Sequence, residues 1–401
     1  MNLFIIIIFI ISLFASITNI IPLSASYSIL GICIPFIILK NFLLKEYKIN
    51  KILFYVILML GYFFISTLIY YPESLLEYDF YRRDGNVFIT FLPLLILLNF
   101  SFKINIEYII KSFIYFATMV NMIFLCIFFV TGGTIWFYEE NTYHFLFFAH
   151  NAAGGFLMML VIFSLSLYLR YKNNYNLFVL FINLLGLYEV DSRGSILGII
   201  FSILMLCALK KGYEKYLINL FIIVQIIMYS YIYSYFDSAL VDVDIIDNDF
   251  LGRGGTIIDR IFFLWPRAIY LFLQSPFLGI GFGGYNDLPY NLDGIAGLLM
   301  YNAPSIYIFS DAHAHNTFLN VLSETGIVGL IILVMLLLSI NSFIKSINNK
   351  FLFHILYLGL WSAIFSSVTE HRLFTPSQMI PYFIILGLVY VSNSYEKKNI
   401  I

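Results

Sequence analysis

Long apolar runs and short polar joints alternate along the chain, and within each run the apolar residues are continuous. Continuous runs read as membrane-spanning helices. The residue-by-residue alternation of a transmembrane barrel is missing. Twelve spans follow, at roughly 3–21, 27–39, 52–71, 86–100, 110–130, 151–169, 176–190, 195–209, 216–236, 317–340, 351–368 and 377–393. The second, fourth, seventh and eighth are short and are read as tilted or loosely bounded. The expected fold class is all-α: a polytopic integral membrane protein. Residues 1–236 carry helices one to nine, 237–316 form one large external loop with short helices, and 317–401 carry helices ten to twelve. The first run resembles a secretory leader, with Ser24-Ala25-Ser26 as a small-residue cleavage site. No Lys or Arg precedes it, and it is long for a leader, so it is read as a retained span.

Charge then orients the spans. Lys40, Lys45, Lys48 and Lys51 share one joint; Lys103 and Lys111, Lys172, then Lys210, Lys211 and Lys215, Lys345 and Lys350, and Lys397 and Lys398 fall in alternate joints after it. The intervening joints hold Arg82, Arg83, Arg193, Arg253, Arg260, Arg267 and Arg372, with Arg170 the one arginine on the lysine side. The positive-inside rule makes the lysine side cytoplasmic. The other side gathers seven of eight arginines, five of six histidines and nineteen of twenty-three carboxylates.

Composition agrees. Apolar residues make up 61% and charged residues 11%, with a mean hydropathy of +0.91; a soluble domain carries about 25% charged residues. The formal net charge of −1 says little, because the charges are segregated. No basic, aromatic-interleaved patch suggests nucleic acid. Cys33, Cys126 and Cys207 lie inside apolar runs, with neither CxxC spacing nor a disulfide framework.

The loop 237–316 has its own grammar. It opens on carboxylates, Asp237, Asp242, Asp244, Asp247 and Asp249. Thr256 and Asp259 read as a helix start. Arg260 and Arg267, seven residues apart, would share a helix face, and Pro266 is expected to kink that helix. The face serves either an anionic ligand or interfacial anchoring at headgroups. Gly279-Ile-Gly281-Phe-Gly283-Gly284 follows Ser275-Pro276 and reads as a turn with close backbone approach, since it follows a helix rather than a strand.

The loop ends on Asp311-Ala-His313-Ala-His315-Asn316. In an extended segment His313 and His315 point the same way. Asn316 is placed to cap the tenth span. Asn320 and Glu324 continue its face into the membrane, where a carboxylate marks a site by default. Gly326 and Gly329 would let a neighbouring helix pack closely. Three readings of the histidines stay open: a metal site with Asp311, a structural pair, and a general base among arginines.

His315-Asn316, nine residues, Gly326, two residues and Gly329 resemble the signature of bacterial O-antigen ligases and the related O-antigen polymerases. Asp191-Ser-Arg193-Gly resembles that family's (S/T)-R-(G/A) element, and Arg260 resembles the arginine of its large periplasmic loop. The resemblance spans about 190–330. It implies a membrane glycosyltransferase of the inner membrane that uses no metal or other cofactor, with its active site facing the periplasm. Its donor would be an undecaprenyl-diphosphate-linked glycan. Its acceptor would be another lipid-linked chain (polymerase, the reading preferred for the glycine-rich stretch) or lipid A-core (ligase). Membrane lipids and a chain-length regulator are the other partners it implies. His315, Arg193 and Arg260 are the expected catalytic residues; His313, Asn316, Arg253, Arg267, Glu324 and Arg372 are expected at the substrates. A lipid-glycan transporter is the competing class, but no internal repeat supports it.

Overall fold

The computed structural model describes residues 50–77, 80–81, 83–98, 105–132, 143–147, 150–238, 260, 264–287 and 313–398. The first two expected spans and Arg253 lie outside the described residues. Within them the chain is all-helical, with no strand. The longer helices are α1 (Lys51–Tyr70), α4 (Ile106–Thr131), α5 (His150–Tyr171), α6 (Asn174–Glu189), α7 (Arg193–Lys210), α8 (Glu214–Ser238), α9 (Trp265–Gln274), α11 (Thr317–Lys345), α12 (Lys350–Ser366) and α13 (Pro376–Lys398), with the one-turn α10 (Gly284–Asp287) between α9 and α11. Among the described residues six helices are long and apolar enough to cross a membrane: α1, α4, α5, α7, α8 up to Ile232, and α11.

Asparagines start several helices. Asn50, Asn105, Asn173, Asn316 and Asn349 each accept a backbone N–H of the first turn, which satisfies donors the helix cannot. The expected fourth span differs. It is two short helices, α2 (Asn86–Thr90) and α3 (Leu92–Leu97), separated at Phe91 and with Pro93 in the first turn of the second. Pro93 has no N–H to continue a ladder. Pro266 lies in the first turn of α9, a position proline favours, and Leu264 just before that helix is already helical in its backbone angles.

The core is the contact of α5, α12 and α13, and α12 also packs closely on α7. Gly198 makes the last fit possible, since a Cβ there would lie 2.8 Å from the Ser362 carbonyl oxygen. In contrast α8 presents Ile222, Ile223, Ile226 and Ile227 outward, each about half exposed. The joints expected to share a side do meet. Glu107 is reached by Tyr171 and Asn349, and Lys345 pairs with Glu214. At the opposite end Asn151, Ser192, Arg260, His315 and Arg372 come together.

One long helix is broken. In α11, Gly326 has φ 63 and ψ −167, so Ser323 O and Glu324 O lose the N–H groups of Ile327 and Val328. The segment Pro276–Gly281 fills the gap as a strap. Ile280 N donates to Ser323 O (3.1 Å) and Gly281 N to Glu324 O (2.9 Å), while Ile327 N donates to Pro276 O (2.9 Å) and Val328 N to Phe277 O (3.3 Å). All four orphaned groups are thereby paired, as burial requires. On its other side the strap meets α1: Tyr62 Oη donates to Leu278 O and Thr325 O, and Thr67 Oγ1 to Phe282 O. The glycine-rich stretch is thus a site of close backbone approach, as its sequence suggests. Gly326 meets this strap rather than a neighbouring helix.

Candidate active site

Four segments meet at one end of the bundle: 313–316 before α11, 369–372 between α12 and α13, 191–194 at the start of α7, and Arg260. Local chemistry fixes each. Asn316 caps α11 through Oδ1, accepting Phe318 N (3.0 Å) and Leu319 N (3.1 Å). Thr317 N donates to Ser367 O at 2.9 Å, which ties the start of α11 to the end of α12. Gly194 abuts Thr369, whose Oγ1 would lie 2.8 Å from a Cβ there, so any larger residue would part the two joints.

Glu370 stands at the centre. Its Oε2 lies 3.0 Å from His315 Nδ1 and its Oε1 2.5 Å from Arg260 Nη2. Burial alone would raise its pKa. The His315 hydrogen bond and the charges of His315, Arg372 and Arg260 outweigh burial and hold it at about 2. An ionised carboxylate only accepts, so His315 Nδ1 must donate, and in the neutral ring this tautomer puts the lone pair on Nε2. The His315 side chain remains 25% exposed, enough to meet a solute. His315 adopts φ 45, an uncommon conformation for a residue with a side chain.

Two more histidines complete the cluster. His313 stacks on His315 with ring centres 4.5 Å apart, and His371 meets His313 edge-on at 5.0 Å. Burial, and then the neighbouring His315, hold His371 down at about 3. His313 is pushed well down by burial first and by His315 and His371 next. Both are neutral at ordinary pH. Among the described residues no group of three or more His, Cys, Asp or Glu side chains has the arrangement of a metal site.

The arginines divide by environment. Arg372 is 2% exposed; it donates to Asn151 O and, at 3.1 Å, to Ser192 Oγ, and burial lowers its pKa. It braces the joint before α7 from inside. Arg193, next to Ser192, is exposed at the N-terminus of α7, where the helix dipole favours an anion. Arg260 and Arg267 do not aim at one point. Arg267 is buried, donates to Tyr285 O and lies 4.4 Å from the centre of the Tyr285 ring. Glu324, fully buried, accepts Tyr285 N at 3.2 Å. These two hold the chain that follows the strap. Asn320 Oδ1 accepts Ala314 N, so the polar stripe of α11 anchors loop backbone. Arg253 and Asp311 fall outside the described residues.

The sequence pattern singles out the histidine motif but leaves Glu370 unmarked. Its one signal is the run Glu370-His371-Arg372 in a joint on the arginine side.

Residues 178–334 match the model of a known family, described as O-antigen ligase. The match includes Arg193, Arg260 and the His315 motif and stops short of Glu370 and Arg372. No curated protein matches the chain.

Proposed function

We propose that this chain, whose residues 178–334 match the O-antigen ligase family model, is a bacterial inner-membrane glycosyltransferase of about twelve spans in the O-antigen ligase/polymerase superfamily. In this reading it acts at the periplasmic face on an undecaprenyl-diphosphate-linked glycan. One observation carries it: a single carboxylate, Glu370, holds both His315 and Arg260. His315 Nε2 takes the proton of an acceptor sugar hydroxyl while that oxygen attacks the anomeric carbon of the donor. The bond from that carbon to the lipid diphosphate breaks, and the diphosphate leaves with the electron pair. Arg193, backed by the dipole of α7, stabilises its charge, and Arg260 does so with the N–H groups that Glu370 leaves open. Glu370 keeps the His315 tautomer and steadies the imidazolium that forms, the role of the carboxylate in a catalytic triad. No metal has a part in this scheme, because guanidinium groups supply the positive charge. His313, Asn316 and Arg253 would line or support the substrates. Arg267, Glu324 and Arg372 would act from behind.

The acceptor is read as a second lipid-linked chain, which makes the protein a repeat-unit polymerase; a chain-length regulator would then be a natural partner. The description of the matched family favours the alternative, transfer to lipid A-core. A deletion strain separates them. One repeat unit retained on core indicates polymerase, and loss of all O-chain from core indicates ligase. An unchanged lipopolysaccharide ladder overturns both. Restoration by the wild-type chain but not by His315→Ala ties the ladder to the proposed base.

A further inference from the structure

We infer that Tyr229, in the outward-facing helix α8, is the positioning residue of the His315–Asn316 motif. The inference rests on the reading of His315 as the base. α8 exposes most of its surface, and Tyr229 lies on the face that touches the protein. There Met228, Tyr229 and Ile232 pack with Trp265, Ala268 and Leu319. The Tyr229 ring meets that of Trp265 edge-on at 6.2 Å. Its hydroxyl accepts a 2.6 Å hydrogen bond from Asn316 Nδ2.

That bond matters because of what Asn316 does. The residue is fully buried, and its Oδ1 is committed to the first turn of α11. Nδ2 therefore points away from the helix and needs an acceptor, which Tyr229 supplies. With both ends of the amide held, the backbone at 316 cannot rotate. His315, one residue earlier, sits at φ 45, a conformation that persists only when its surroundings over-determine it. That backbone turn brings Nδ1 to Glu370. Ala314 N, bonded to Asn320 Oδ1, clamps the motif from the other side. Tyr229 is thus the link by which a helix largely bare of protein contacts bears on the base.

The test is a double-mutant cycle in lipid nanodiscs, with a defined lipid-linked donor and equal protein levels. Tyr229→Phe keeps the ring against Trp265 and drops the acceptor. Its kcat should fall about tenfold, equivalent to 1.4 kcal/mol, with donor KM within about twofold of wild type. In an Asn316→Ala background the same substitution should change kcat by less than about twofold, because coupled residues are not additive. Should Tyr229→Phe accumulate poorly, Asn316→Ser makes the same cut from the other side. It keeps a capping oxygen, loses the amide N–H that reaches Tyr229 and should show the same loss. The inference is overturned if either single variant turns over like wild type, if the losses add in the double variant, or if the effect lies in donor KM. His315→Ala serves as the separate control: its full activity would sink the proposed mechanism, whereas an inactive His315→Ala beside a fully active Tyr229→Phe sinks only this assignment.

Discussion

Replacing Gly279 with alanine should unseat the strap from the break in α11. Gly279 has φ 75, and a Cβ there would lie 2.2 Å from the Glu324 carbonyl carbon, 2.3 Å from its oxygen and 2.3 Å from Thr325 N. Those atoms are backbone inside a packed bundle, so the strap must move rather than the obstacle. Its four hydrogen bonds to α11 go with it. At about 0.5–1.5 kcal/mol net each they sum to about 2–6 kcal/mol. The left-handed backbone adds about 1–2 kcal/mol for an L-residue, for a total of about 3–8 kcal/mol. The lower half is expected, because α11 can close its own ladder once the strap leaves. Gly212 provides the internal control: its φ is 78, but nothing lies within 4 Å of a Cβ there, so Gly212→Ala should cost only the backbone part. Thermal unfolding of the purified protein in one detergent compares the three chains. Equal shifts in Tm for Gly279→Ala and Gly212→Ala would refute the reasoning, since only the first has the steric conflict.

Other expectations concern the site. Glu370→Gln leaves an oxygen for His315 Nδ1 but removes the charge, so turnover should fall by about 10²–10⁴-fold, the range of a lost acid–base function; a loss under tenfold at equal membrane levels would argue against the triad-like role. Arg193→Lys should lose most activity if bidentate geometry on the diphosphate matters, and near-normal transfer by both Arg193→Lys and Arg260→Lys would favour headgroup anchoring. Stability should also fall with acid. His371 titrates at about 3 folded against 6.5 ordinarily, so the unfolded chain binds more protons between those values and stability drops as pH falls through that window. Glu370, at about 2 against 4.5, adds a further loss from about pH 4.5 downward. Melting curves at pH 7.5, 5.5 and 4 should show a shallower first drop for His371→Phe, and parallel curves would contradict the buried-neutral assignment.

The helices were readable because long apolar runs leave the chain few choices, and Asn316 was readable as a cap because capping is local. The break in α11 was not. Gly326 lies in an apolar run that reads as uninterrupted helix, and the groups that replace its hydrogen bonds come from residues some forty to fifty positions earlier. Glu370 was hidden for the same reason, lying 55 residues from His315. Arg267 and Glu324 were visible as unusual charges, but their partner is Tyr285 backbone, which no side-chain pattern announces. Spacing pointed to Arg260 and Arg267 as a pair, but the two guanidinium groups go to different partners.

The strap also constrains the order in which this protein can be made. Pro276–Gly281 leaves the ribosome before α11, yet its backbone partners belong to α11, to Tyr62 of α1 and to Tyr71 just past it. Unpaired peptide groups do not enter hydrocarbon. The nascent strap must therefore wait in a wet environment until residues 317–345 have been inserted. The 29-residue α11, about 44 Å if continuous, would pass through the translocon as an ordinary unbroken helix. Its rupture at Gly326 is then a late event, triggered when the waiting strap docks. Ribosome-bound chains ending before α11 should hold the strap open to protease, and those extending past it should not.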